Sequence, residues 1–405
     1  MMKLTKKIRT FKKGQIESID LPSARELTQA TLSLSHALIE KPSITPLEAE
    51  CLTLIENRLT KLSMNNQRMD KGEVSNLYSS FDNGKPVFCF VGHIDVVPPG
   101  DINNWHTDPF KPVEKEGYLY GRGSVDMKTA VAAMVVAIEQ FEKLGLQKHI
   151  DIALVLTSDE EGDAIDGVNH VVAELEKKQQ KVCWALVGEP SSDEQVGDTI
   201  KIGRRGSLTG YLTFIGKQGH VGYPEHIINP VKAASKIVYK FQNKQWDFPS
   251  RFFPASSFQV VKYQCDSGAE NISPASVNIC FNIRYSPKQT AQKLINYIEK
   301  KSAATGLTYE ATWKIDAEPF ITRRSLVREV VQQVVLQTQG FKPKLSTAGG
   351  TSDGRFFAKT GTQVVELGLC NHRIHQANER APINDLGVLA LMYLKILIQL
   401  NQQNA

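Results

Sequence analysis

Three apolar runs of strand length, residues 86–92, 151–157 and 182–188, each stop at a cluster of polar side chains, and this pattern most constrains the fold. The first run ends at Gly92-His93-Ile94-Asp95, the second at Asp159-Glu160-Glu161 and the third at Glu189-Pro190. Helical periodicity lies between them. After Asp126, the residues Val131, Met134, Val135 and Ile138 fall at i, i+3, i+4 and i+7, which predicts a helix. Strands alternating with helices make a mainly parallel sheet with both faces covered. In such a sheet a site forms outside the carboxyl ends of the strands, and the polar clusters stand there.

A chain of 405 residues exceeds one ordinary core and predicts two domains. The folded part is expected from about Leu27, after a basic extension over residues 1–26. The strand–helix alternation breaks after Gly206. Residues 207–216 read as a strand, and Asn229-Pro230 opens a helix with Val231, Ala234, Val238 and Phe241 on one face. Strands follow at 256–264 and 277–286. The second alternates Val277, Ile279, Phe281, Ile283 and Tyr285 with Asn278, Cys280, Asn282 and Arg284, as a half-buried antiparallel strand does. A helix near 290–303 and a strand near 307–316 complete β-α-β-β-α-β, the ferredoxin-like order. The expectation is an α/β domain, residues 27–206 and 317–405, interrupted by an inserted ferredoxin-like α+β domain, residues 207–316. The apolar stretch Leu386–Leu400 contains Lys395 and is short for a bilayer, so it reads as a buried terminal helix.

The net charge of +5 is concentrated in residues 1–13. Lys3, Lys6, Lys7, Arg9, Lys12 and Lys13 stand there without an acid, and removing these six leaves about −1 for the remainder. A near-neutral body has no nucleic-acid footprint, and no membrane partner is expected. The extension lacks the apolar segment of a secretory signal and is read as disordered. None of the six cysteines forms a C-x-x-C pair, so buried, reduced thiols in a cytoplasmic protein are expected.

The candidate chemistry lies in the polar clusters. His93 and Asp95, two apart on an extended segment, face the same way, which suits an imidazole ligand with a carboxylate that fixes its tautomer. A surface histidine near a turn is the alternative. Asp126, after the loop Gly121-Arg122-Gly123, is either a ligand or a helix cap. Glu160 and Glu161 are either a solvated acidic turn or a working pair, one holding metal and the other taking a proton from water. Glu189 ends a buried strand. His375 lies in a polar loop, with His372 as its competitor. Two imidazoles and three carboxylates without a thiolate suit two divalent ions of the zinc type. An anionic small-molecule substrate is expected from the arginines, which recognise carboxylates bidentately. Arg204, Arg205 and Arg284 are available, each also open to a surface salt bridge. Gly349-Gly350-Thr351 either presents backbone N–H groups to an anion or is a plain turn.

In this order, and together with GRRGSLTG at 203–210, the QGHVGYPEH region around His220 and GGTSDGRF at 349–356, the set resembles the di-zinc aminoacylase/carboxypeptidase family of metallopeptidases over residues 27–405. The resemblance implies a zinc-peptidase-like catalytic domain and an insert that dimerises. It implies two zinc ions per subunit, with cobalt a possible substitute. Asp126 would bridge them, His93 and Glu189 would complete one site, and Glu161 and His375 the other. Glu160 would be the general acid/base, Asp95 the partner of His93, and His220 an oxyanion donor reaching the partner subunit's site. Arg204, Arg284, Asn271 and Thr351 would bind substrate. The GRRGS and GGTSDGR stretches imply the branch that hydrolyses N-succinyl-L,L-diaminopimelate. An acetylornithine-type deacetylase and a catalytically inactive binding homologue are the alternatives. Three positions depart from the family pattern and leave the ligands intact: Ile94 replaces a more usual Thr, and Ser124-Val125 stand where small residues are usual. The extension has no counterpart.

Overall fold

The three apolar runs lie side by side as the parallel strands Val182–Val187, Val87–His93 and Asp151–Thr157. In this computed structural model, which describes residues 7–12 and 15–405, they form the centre of an eight-stranded sheet. Gln363–Glu366 adds a fourth parallel strand beside Val182–Val187, and Asn76–Ser80 pairs antiparallel with Asp151–Thr157. Asn65–Arg68 closes that edge, while Thr199–Lys201 and Lys344–Ser346 close the other. Every residue of Asp151–Thr157 is buried, as befits a strand covered on both faces.

The helix expected after Asp126 runs over Lys128–Lys143, and every residue from Lys128 to Ile138 is buried. A helix apolar on all sides belongs inside. It packs with Ala24–Ile39 and Ile383–Gln403. Its first residue, Lys128, donates from Nζ to the carbonyls of Leu38 at 2.8 Å and Lys41 at 2.6 Å, which pins the helix start near the other helix's carboxyl end. Ile383–Gln403 is long and apolar enough to cross a membrane, but 78% of its most apolar window is buried in the core. Lys395 reaches Thr338 Oγ1 at 3.0 Å.

The second unit covers 203–321 and 347–351. Its boundaries are wider than the 207–316 read from sequence, because Gly203–Arg204 pairs with Phe320–Ile321 at its base. Strands Gly206–Ile215, Ser257–Gln264, Ser276–Tyr285 and Thr308–Ala317 and helices Val231–Gln242 and Ala291–Ala303 follow the β-α-β-β-α-β order. The sheet order places Ser276–Tyr285 and Gly206–Ile215 in the centre, the ferredoxin-like arrangement. Phe281 is fully buried between Phe258, at 4.7 Å between ring centroids, and Trp313, at 5.8 Å. Phe281→Ala is expected to destabilise this unit by about 3–5 kcal/mol, checked by urea denaturation followed through tryptophan fluorescence.

Two expectations change. An antiparallel pair, Lys7–Lys12 with Gln15–Asp20, occupies part of the extension expected to be disordered, and the first helix starts at Ala24. Ile8, Thr10, Phe11, Ile16 and Ile19 give those stretches strand propensity despite their charge. Lys3, Lys6 and Lys13 lie outside the described residues. Of the six cysteines, only Cys51 and Cys89 are fully buried, and Cys265 is exposed.

Candidate active site

Two glycines bring the strand ends to one point. Gly92 precedes His93 and Gly188 precedes Glu189. A Cβ on Gly92 would come within 2.7 Å of Met127 Cε, and one on Gly188 within 2.5 Å of Met134 Cε. Bare backbone at both positions lets the strands close on the start of the helix, beside Asp126.

There Asp126 stands between two imidazoles. Its Oδ1 lies 3.2 Å from His93 Nε2, and its Oδ2 lies 3.4 Å from His375 Nε2. Glu189 Oε1 is 3.7 Å from His93 Nε2, and Glu161 Oε1 is 2.9 Å from His375 Nε2. The helix-cap alternative for Asp126 falls away, since Met127 holds the cap position without a side-chain bond. His375 sits at φ 61°, in the left-handed region. A non-glycine residue is uncommon there, and such strain gathers at functional sites. His372 points elsewhere, 3.7 Å from Glu194.

His93 Nδ1 lies 2.9 Å from the main-chain oxygen of Asp95, an atom that can only accept. Nδ1 therefore carries the proton and Nε2 is left as the ligand atom. The expected tautomer-fixing role thus belongs to the Asp95 backbone, since its carboxylate stands 3.6 Å away. The carboxylate instead accepts from the N–H of Glu161 at 3.1 Å and of Glu160 at 3.4 Å, and so holds the acidic turn.

The electrostatics of the cluster follow from burial and from the crowding of carboxylates around two imidazoles. Burial works against ionising Asp126, but bonds from His375 and His93 more than offset it and hold the carboxyl low. His375 is pushed up to about 10 by its bonds to Asp126 and Glu161. His93, despite burial, is raised by Asp126 and the nearby carboxylates Asp95 and Glu189. Burial lifts Asp95 to about 6. Glu160 is raised by burial and by Glu189. Carboxylates this crowded take up protons unless cations sit among them. The ligand atoms of His93, Asp126 and Glu161 lie within 4.8 Å of one another, as do those of His93, Glu160 and Glu189. The donor set therefore fits divalent ions. Geometry alone also admits Glu160 as a ligand.

The remaining candidates lie in the second unit. His220 is exposed, on the short strand Gly219–His220 that pairs with Ile272–Ser273. Asn271 is next to it, accepting from the Val221 N–H at 3.0 Å through its main-chain oxygen. His220 Nδ1 accepts from the Gly222 N–H at 3.0 Å, so the neutral ring carries its proton on Nε2, as a donor requires. Arg204 is buried and donates to the Gly350 carbonyl at 3.3 Å, next to Thr351. Arg205 is the neighbour of Arg284 instead. Burial and the Arg284 charge both push its pKa down, and its Nε has no hydrogen-bond partner among the described residues.

Three residues escaped the sequence reading. Glu379 and Arg122 form a buried ion pair of 2.7 Å. Asp353, inside the GGTSDGR stretch, is buried with neither carboxylate oxygen hydrogen-bonded among the described residues. An Asp beside a glycine looks like any turn residue, and only burial distinguishes it.

A family model described as Peptidase family M20/M25/M40 matches residues 89–399. A succinyl-diaminopimelate desuccinylase of Acinetobacter baumannii (strain AYE) is 45% identical over 367 residues, 91% of this chain and 97% of that one. The metallo-carboxypeptidase Sso-CP2 from Sulfolobus solfataricus superimposes with a TM-score of 0.77 at 18% identity, over 91% of this chain and 98% of its own. The Bacillus subtilis YXEP protein, described as a dinuclear metal binding peptidase, superimposes with a TM-score of 0.72 at 14% identity, over 93% and 99%. The solved structures share the fold. With the family match spanning the imidazole–carboxylate cluster as well as the insert, the chain belongs to peptidase family M20/M25/M40.

Proposed function

We propose that this chain hydrolyses the amide of N-succinyl-L,L-diaminopimelate to succinate and L,L-diaminopimelate, with two zinc ions held by His93, Asp126, Glu161, Glu189 and His375. The observation that carries the dinuclear reading is Asp126, whose two oxygens face two different imidazoles. The substrate follows from relatives of this name at 45% identity over 91% of the chain. Imidazole and carboxylate donors without thiolate suit zinc, and cobalt would substitute. Bound there, the ions would supply Lewis acidity and lower the pKa of a water toward about 7.

The protein's own groups do the rest. Glu160, its pKa raised by burial and Glu189, accepts a proton from the attacking water and returns it to the leaving amine. His220 donates from Nε2 to the oxyanion that develops on the amide oxygen. Arg284, with Arg205 beside it, takes a substrate carboxylate. Arg204 holds the Gly349-Gly350-Thr351 turn, while Asn271 and Thr351 complete the substrate contacts.

Homodimerisation through the inserted unit is part of this proposal. Ser257–Gln264 is an edge strand without a second neighbour among the described residues. On it Val261 is 69% exposed, and Tyr239 on the adjoining helix is 72% exposed. Pairing that edge with its twin gives a two-fold dimer. Six unpaired cysteines accord with a cytoplasmic setting.

The test is metal content followed by hydrolysis of paired substrates. Purified protein is expected to hold two ions per subunit and to lose activity with a chelator. The succinylated amide should be preferred over the acetylated one by roughly 10–10²-fold in kcat/KM, the worth of one charge-assisted hydrogen bond. Preference for the acetylated substrate would overturn the assignment.

A further inference from the structure

The metal ligands differ in how they are held. His93 and Glu189 follow directly from central strands. Asp126 and His375 lie on loops far apart in sequence, and one side chain joins those loops. Glu379 is 1% exposed and its carboxylate receives four hydrogen bonds. Oε2 accepts from Arg122 Nη1 at 2.7 Å and the Gly123 N–H at 3.0 Å. Oε1 accepts from the N–H of Val125 at 2.8 Å and of Asp126 at 3.2 Å.

The main chain is tied at the same place. The Gly121 N–H donates to the Glu379 carbonyl at 3.0 Å, and Arg380–Pro382 pairs with Tyr118–Tyr120. Arg122 extends the junction. Its Nη1 also reaches the Gln376 carbonyl and its Nη2 the Pro98 carbonyl, each at 3.4 Å, and its guanidinium lies 5.2 Å from the Trp105 ring centroid. Segments leading from His93, through Asp126 and back from His375 thus meet on one buried pair.

We propose that Glu379 and Arg122 are positioning residues that hold Asp126 and His375 in register, and so set the affinity of the ion those two share with Glu161. The inference rests on the dinuclear reading above. That ion draws two of its three ligands from the tied loops, whereas the ion at His93 and Glu189 draws only Asp126 from them. The two sites therefore respond unequally to loss of the junction. A pair serving general stability would weaken both alike.

Metal-free protein is titrated with Co2+, followed by heat and by visible absorption. Wild type should take up two ions; fewer than two would sink the dinuclear reading itself, whatever the variants do. In Glu379→Gln one dissociation constant should rise about 10–100-fold, the usual cost of losing a group that orients ligands. The other should rise at least about tenfold less than that. Arg122→Lys keeps the charge but loses the fork that reaches Gln376 and Pro98, and should shift the same step by a smaller factor. If Glu379→Gln fails to fold, Arg122→Lys is judged on the same split. Equal weakening of both steps, or no change in either in a folded variant, would overturn the proposal.

Discussion

Glu160→Gln is expected to keep two metal equivalents and to lose turnover by about 10²–10⁴-fold, the share that general acid–base catalysis supplies. The substitution preserves shape and removes the base. Glu160 lies in the same tight cluster as His93 and Glu189, and burial together with the Glu189 charge raises its pKa, an environment that suits a proton carrier. The variant also separates two geometries that the cluster allows. If Glu160 were a ligand, Glu160→Gln would lose one ion along with activity. Metal analysis beside single-turnover kinetics distinguishes the outcomes. Retention of both ions with turnover within a few-fold of wild type would remove Glu160 from the chemistry.

His220→Ala should lower turnover by about 10²–10³-fold with both ions retained, as loss of one oxyanion donor does in other hydrolases. The tautomer supports the role: Gly222 donates to Nδ1, which leaves the proton on Nε2. All five proposed ligands belong to the larger unit and His220 to the smaller. Assignment of His220 to the partner's site has its own test. Mixed His220→Ala and Glu160→Gln subunits should recover activity, because a hybrid dimer would hold one site with both groups intact. With subunit exchange verified by native mass spectrometry, an inactive mixture would place His220 within its own subunit's chemistry or outside the chemistry.

The parts legible in the sequence are those set by local pattern. Val87–His93 and Asp151–Thr157 read as strands because buried apolar runs have few other solutions, and the alternation of Val277 to Tyr285 fixed the insert's central strand. The candidate ligands His93 and Glu189 stand out in the sequence for the same reason, at the ends of such runs. What stayed hidden depends on distant contacts. His372 and His375 are indistinguishable in sequence, and only the fold turns His375 toward Asp126. Glu379 acquires its role from a loop some 250 positions away, where it binds the Asp126 N–H. Arg204 and Arg205 look alike, yet one supports a turn and the other faces Arg284. The N-terminal strands are hard to read in the sequence because Ile8, Ile16 and Ile19 are scattered among charged residues.

The central claim is that Asp126 bridges two ions. Crystals of the zinc-loaded protein, measured above and below the zinc absorption edge, test it directly. Two anomalous peaks are expected roughly 3.5–4 Å apart, each about 2.0–2.2 Å from a different oxygen of Asp126. His93 and Glu189 should stand at one peak, and Glu161 and His375 at the other. A single peak at full occupancy, or two peaks that Asp126 does not join, would contradict the account.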